Sequence, residues 1–199
     1  MNTGPMPAPF RRPPSTLLPP ALAGALLSTP GLVALFVLAL ALGEPMRAHA
    51  DALVTPAAPL GILSLQFACA AEGAGAILAM WDEEARQHAR LSLYWDMGFA
   101  PAYGIALAAL SERFAAYRAG WDPGRGSRQP AVLAWLPLVA AAADMVENAL
   151  HLILIDAGDP AISTAACALA LVKWGLLAAW LTATIVAMPR TLTDWLRRR

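Results

Sequence analysis

Four long apolar runs stand out in the pattern of hydrophobic and polar positions along the chain. Each is long enough for a helix that crosses a bilayer, which needs about 20 predominantly apolar residues. Shorter polar stretches separate the runs, and this arrangement predicts one all-α domain, a transmembrane four-helix bundle, rather than several modules. The predicted spans are residues 21–43, 91–110, 131–155 and 161–188.

A fifth apolar run, from Gly61 to Trp81, is harder to place because it contains Gln66 and Glu72. Its second half continues to Arg90 as an amphipathic pattern, with apolar and charged positions on opposite sides. The positive-inside rule favours four spans, which place ten arginines inside and three outside, over five, which place nine inside and four outside. We therefore predict an external amphipathic helix over about residues 61–90 that lies on or dips into the outer leaflet.

The two ends of the chain are predicted to lie in the cytoplasm of a bacterial cell, with the protein in the inner membrane. Residues 1–20, with seven prolines, are expected to form a disordered arm, residues 21–188 the membrane domain, and residues 189–199 a basic tail. The triplet Ala48-His49-Ala50 has the form of a signal-peptidase site, so cleavage of the first apolar run is an open alternative.

Composition supports the bilayer as the main partner. The chain is 58% hydrophobic and 14% charged, against about 45–50% and 25% in soluble domains. The formal net charge is zero, so no basic surface for nucleic acid is expected. The only lysine is Lys173, and the arginine bias indicates a GC-rich bacterial genome. Cys69 and Cys167 form no C-x-x-C motif and are expected to be inert, small apolar side chains.

The third run carries four polar residues at spacings of three, four and seven, which place them on one helical face. Charged groups are costly within a bilayer, so this face is expected to point into the protein or into a hydrated cavity. The second and fourth runs add three more polar residues at comparable depths. The predicted ligand-binding set is Asp96, Tyr103, Asp144, Glu147, Asn148, His151 and Lys173.

Helical rise sorts these residues into two layers. Asp96 is expected beside Glu147, Asn148 and His151 in an outer layer, and an ion pair between Asp144 and Lys173, with Tyr103 as a phenol donor, in a deeper one. Three carboxylates against one ammonium leave an excess of negative charge. We expect a protonated carboxylate, a charged His151 or a bound cation to compensate it.

Several of these motifs resemble an uncharacterised family of small bacterial four-span membrane proteins. The resemblance covers about residues 60–180. It rests on Ala70-Ala71-Glu72 through Trp81, Asp96-x-x-Phe99-x-x-x-Tyr103, Leu136-Pro137-Leu138, Asp144-x-x-Glu147-Asn148 and Lys173. It implies the four-span layout and the same site residues, and it implies no activity.

Four functional hypotheses follow. The leading one is an outward-facing polar pocket that binds a small or lipidic ligand or a cation. The others are an intramembrane enzyme in which Glu147 or His151 is the base and Lys173 stabilises negative charge, a proton or ion relay, and a purely structural network. No G-x-S-x-G, H-E-x-x-H or P-loop motif is present, so no catalytic residue, metal or cofactor is assigned.

Overall fold

A computed structural model of the protein describes residues 25–119 and 129–196. Within these two ranges the chain is all-α, as predicted. Two short 3₁₀ turns, at Asp51–Leu53 and Pro160–Ile162, link the helices. The α-helices are α1 (Thr29–Ala50), α2 (Ile62–Gln66), α3 (Ala71–Met80), α4 (Glu83–Ala119), α5 (Gln129–Ala157) and α6 (Ser163–Leu196).

Local capping residues fix where the helices begin. The side chain of Ser28 accepts a hydrogen bond from the amide of Gly31, which satisfies one of the free amides in the first turn of α1. Asp82 does the same for α4 by accepting from the amide of Ala85 at 2.8 Å. Gly158, with a φ of 64°, follows the end of α5, where a left-handed conformation favours glycine.

Three of the helices are long and apolar enough to cross a membrane. They cover Thr29–Leu53, Val132–Ala157 and Pro160–Ala187. The described part of the predicted first span continues to Leu53, past residue 43, whereas residues 21–24 and the predicted arm at residues 1–20 lie outside the described residues. α6 continues through the predicted basic tail as far as Leu196. These helices agree with a membrane protein.

The long helices pack in the order α1, α4, α5, α6. α4 packs against α1 on one side and α5 on the other, and α5 also packs against α6. α5 is the most enclosed of the three apolar helices, with 44% of its hydrophobic stretch buried against 11% for α1 and 17% for α6. A Cβ atom on Gly104 would lie 2.7 Å from the Cβ of Ala141, so this glycine permits the close approach of α4 and α5. α5 is therefore the helix around which a buried site can be built.

Residues 51–82, called the cap from here on, form a small hydrophobic core at one end of the long helices. Leu53, Leu65, Ile77 and Trp81 are buried there together with apolar residues of α4 and α5. The indole Nε1 of Trp81 donates to the carbonyl of Leu53 at 3.1 Å, which joins the two ends of the cap. At the same end, Arg90 of α4 bonds to Asp156 of α5 at 2.7 Å. The cap is thus packed onto the helices rather than separate from them.

The predicted external helix over residues 61–90 is not one helix. The structure breaks it into α2, α3 and the first turns of α4. The second break is at Trp81 and Asp82, because the Trp81 side chain is buried in the cap core and Asp82 caps the next helix. α2 and α3 have five and ten residues, too few to cross a bilayer as helices.

The expectation that the two cysteines are separate and inert is wrong. Cys69, between α2 and α3, forms a disulfide with Cys167 of α6. The two residues are 98 positions apart in the sequence, so their spacing gave no sign of the pairing. Beside the disulfide, the hydroxyl of Thr164 donates to the carbonyl of Cys69 at 3.0 Å. The cap is therefore fastened to α6.

Candidate functional site

The centre of the predicted site is an ion triad formed by Lys173, Asp144 and Glu147. The Nζ atom of Lys173 lies 2.9 Å from Oδ1 of Asp144 and 2.7 Å from Oε2 of Glu147. All three side chains are at most 4% exposed. α6 supplies the ammonium and α5 supplies both carboxylates, one helical turn apart. The predicted Asp144–Lys173 ion pair is thus present, and Glu147 shares the same ammonium.

Tyr103 of α4 is the second hydrogen-bond partner of the Asp144 carboxylate. Its hydroxyl donates to Oδ2 of Asp144 at 3.0 Å, so each carboxylate oxygen has one partner, the phenol on one side and the ammonium on the other. The Tyr103 ring is half-buried and lies with its centroid 5.2 Å from that of Phe99. This part of the site joins α4, α5 and α6 through side-chain hydrogen bonds.

Glu147 connects this deeper part to the cap end. Its Oε1 atom lies 3.8 Å from Nδ1 of His151, which is one turn further along α5. Glu147, predicted in the outer layer, lies beside His151 and also contacts the deeper Lys173, because the long Lys173 side chain reaches both Asp144 and Glu147. The two predicted layers are joined at Glu147.

Asp96, Asn148 and His151 form a second group nearer the cap, called the cap-side cluster. Asp96 of α4 is 6% exposed, and the other two side chains, on α5, are fully buried. Asp96 lies next to Asn148 and within electrostatic range of Asp144 and Lys173. The His151 ring lies beside the backbone of Leu65 in α2. The cap thus covers this cluster.

The cap-side cluster has unused hydrogen-bonding capacity. Among the described residues, neither ring nitrogen of His151 and neither side-chain polar atom of Asn148 makes a hydrogen bond of good geometry. Buried polar groups are otherwise nearly always paired, because an unpaired one loses its hydration without compensation. The cluster differs from the ion triad, in which Lys173 forms close ion pairs with both carboxylates, although Oε1 of Glu147 makes no hydrogen bond of good geometry either.

Three further buried polar residues at the same end were not predicted as site residues. Ser92 lies one turn before Asp96 on α4, so its spacing of four could have revealed it. Gln66 and Ser163 are 4% and 1% exposed, and no side-chain bond of Gln66 Oε1 or Ser163 Oγ is formed in the described part of the chain. No helical periodicity relates them to the cluster, because they come from the cap and the first residue of α6.

The structure brings the seven predicted residues together on three helices. Six are buried and Tyr103 is half-buried. Residues 25–119 and 129–196 contain no group of three or more His, Cys, Asp or Glu side chains arranged to hold a metal ion. Comparison of the chain with protein-family models, curated proteins and solved structures gave no match in any of the three. The function is therefore argued from the site itself.

Proposed function

We propose that the protein is a four-span protein of the bacterial inner membrane, with both termini in the cytoplasm and the cap outside. The distribution of arginines supports this orientation, since ten of the thirteen then lie inside. The disulfide between Cys69 and Cys167 supports it independently, because stable disulfides are rare in the cytosol and common beyond the inner membrane.

In this proposal α4 is the fourth span, over about residues 91–110. It lies between α1 and α5, both of which are long enough to span. Its charged residue in this stretch, Asp96, is buried, whereas Tyr94, Trp95 and Ile105 are exposed. A helix whose charge faces its neighbours and whose apolar side chains face outward suits a bilayer. Trp95 lies at the level where aromatic residues meet the membrane surface.

The function we propose is binding of a ligand through a cationic, ammonium-type group at the cap-side cluster. The group could belong to a lipid headgroup or to a small soluble amine. Asp96 would balance its charge, and Asn148 and His151 would accept its N–H groups. The resemblance to the uncharacterised four-span family remains compatible with such a site and adds no activity to it.

One observation carries this proposal: the ion triad uses the site's only ammonium and leaves the buried carboxylate of Asp96 without an ion-pair partner among the described residues. Lys173 is held 2.9 Å from Asp144 and 2.7 Å from Glu147, so these two carboxylates, rather than Asp96, share its charge at close range. Asp96 is nonetheless buried, and its neighbour among the cluster residues is the neutral amide of Asn148. A buried carboxylate needs a proton or a cationic partner, and three carboxylates face one ammonium here.

The same observation ranks the enzyme hypothesis lower. An amine that stabilises a developing negative charge must be free to reach it. Lys173 is already engaged by two carboxylates at hydrogen-bonding distance. Ligand binding would use Asp96, which forms no ion pair within the described residues, whereas the enzyme hypothesis would use Lys173, which is already paired. The triad itself suits a structural role, fixing the register of α4, α5 and α6.

Native mass spectrometry of the protein released from lipid nanodiscs tests the proposal. We expect wild type to retain an amine-containing species, which its mass identifies as a lipid or a small solute, and Asp96→Asn to lose it. Asp156→Asn is the matched control, because Asp156 is an exposed carboxylate at the same end of the protein. The control should keep the species.

A second measurement covers a ligand that is lost during purification. Wild type is titrated with phosphatidylethanolamine and, separately, with ethylamine while its melting temperature is followed. Stabilisation of wild type but not of Asp96→Asn supports the cluster as the binding site. If neither compound stabilises wild type and no species is retained, ligand binding at the cluster is excluded and a structural network remains.

A further inference from the structure

The segment from Leu60 to Cys69 reaches below the end of the long helices, to the level of buried positions in α5 and α6. Leu65 is beside His151, which is six residues before the end of α5, or about 9 Å along the axis. Cys69 is bonded to Cys167, four residues after the start of α6, or about 6 Å along the axis. The exposed ion pair of Arg90 and Asp156 marks the polar end above them.

The segment returns to that end immediately afterwards. Gly75 of α3 lies against Pro160, in the turn between α5 and α6, where a Cβ atom on the glycine would be 3.6 Å from Cγ of the proline. The chain therefore descends to the level of His151 and Cys167 and rises again within a few residues. This is the path of a re-entrant segment rather than of a helix resting on top of the protein.

One side of this segment is apolar and exposed. Leu60, Leu63 and Phe67 are 68%, 37% and 45% exposed and are spaced by three, four and seven residues. The opposite side carries Leu65 and Gln66, which are 1% and 4% exposed. The exposed side is continuous with a lipid-suited surface, because α2 packs against α6, whose Leu171 and Val172 are 57% and 48% exposed.

Several backbone groups at the two ends of the segment have hydrogen-bond partners within the protein, as a position within a bilayer requires. The amide of Leu60 donates to Oγ of Ser64, and the amide of Phe67 donates to the carbonyl of Leu63. Where the helix ends, the amide of Cys69 donates to the carbonyl of Phe67 and the carbonyl of Cys69 accepts from Thr164.

We infer that residues 60–69 form a re-entrant segment immersed in one leaflet of the membrane, with Leu60, Leu63 and Phe67 in contact with lipid acyl chains. The partner of this surface is therefore lipid. The inference depends on the membrane location of α5 and α6 but not on any ligand at the cap-side cluster. The buried side of the segment also covers His151.

Cysteine substitution with a charged, water-soluble maleimide tests the inference in nanodiscs. The native cysteines are paired and do not compete. We expect Leu63→Cys and Phe67→Cys to react at least about tenfold more slowly than Glu72→Cys, because neither the thiolate nor the reagent enters an apolar phase readily. Glu72 is exposed on α3 and is the water reference, and Leu171→Cys is the lipid reference.

Three controls keep the outcome decisive. Each variant must show one free thiol by mass, so that exchange with the native disulfide is excluded. Leu60→Cys, at the end of the segment, replaces any variant that does not fold. Nitroxide labels at the same positions should show high accessibility to molecular oxygen, as at Leu171→Cys, and low accessibility to a water-soluble nickel chelate.

Two outcomes overturn the inference. Reaction at Leu63→Cys and Phe67→Cys as fast as at Glu72→Cys places this side in water. An intermolecular disulfide at Phe67→Cys in detergent-free nanodiscs holding two copies, together with low oxygen accessibility, shows that a second copy of the chain covers it. If wild type binds no amine, which overturns the ligand site, both outcomes of the labelling experiment stay open, so the ligand site and the re-entrant segment fail independently.

Discussion

Lys173 extends from α6 to place its ammonium 2.9 Å from the carboxylate of Asp144 on α5, with both side chains almost fully buried. A charge at this depth is tolerated because its partners are already in place: a second carboxylate at 2.7 Å and, on Asp144, a phenol hydroxyl. Removing one member leaves an uncompensated charge in an apolar setting, which costs more than the pair itself contributes.

Lys173→Met should lower the free energy of unfolding by about 3–5 kcal/mol, the usual cost of breaking a buried pair. The double variant Lys173→Met, Asp144→Asn should recover part of this loss, and Lys173→Met, Glu147→Gln a comparable part, because both carboxylates share the ammonium. Denaturant titration in micelles measures wild type and these three variants. Absence of recovery in both double variants would show that the triad contributes no coupling energy.

Tyr103→Phe should be mildly destabilising, by about 0.6–2 kcal/mol, since it removes one interhelical hydrogen bond and leaves the ring in place. Tyr94→Phe is the control, because Tyr94 lies on the same helix and is 57% exposed. Thermal unfolding of the two variants side by side measures the difference. Equal melting temperatures would mean that the phenol hydroxyl of Tyr103 is dispensable for stability.

The pair Cys69→Ser, Cys167→Ser should lower the free energy of unfolding by about 2–4 kcal/mol through release of the cap from α6. Chemical reduction of wild type should reproduce the effect and leave the double variant unchanged. Alkylation before and after reduction provides the direct count of thiols. Wild-type protein with two thiols free to alkylate in unreduced membranes would disprove the pairing.

Gly104→Ala should destabilise the protein by about 1–3 kcal/mol, because its Cβ would meet Ala141 at 2.7 Å and the carbonyl of Pro137 at 3.2 Å. Gly175→Ala is the matched control: it is also in a long helix, and a Cβ there meets nothing within 4 Å. The control should be neutral or slightly stabilising, since alanine favours helix. Similar melting temperatures for the two variants would show that α4 and α5 can separate without cost.

The face of α5 that carries the site could be predicted from the sequence. The spacings of three, four and seven placed Asp144, Glu147, Asn148 and His151 together, and the structure buries all four. Depth counted along the helices also paired Asp144 with Lys173. The depth count could not predict that Glu147 also contacts Lys173, because a lysine side chain is long enough to reach two successive helical turns. The spans, their orientation and the ligand remain predictions and proposals.

The cap could not be predicted in the same way. The amphipathic pattern over residues 61–90 predicts one continuous helix when only local sequence periodicity is considered. The break at Trp81 depends on a hydrogen bond to Leu53, which is 28 residues away. The disulfide depends on a contact across 98 residues. Interactions of this range follow from the fold and leave no local periodicity to detect.

Because Lys173 is buried, its reactivity reports whether α5 and α6 are packed together. It is the only lysine in the chain, and its side chain is 4% exposed between two carboxylates. Amine-directed reagents should therefore leave position 173 untouched while α5 and α6 stay together, and modify it once they part. Peptide mapping for acylation at this position would follow the opening of the helix pair without any introduced label.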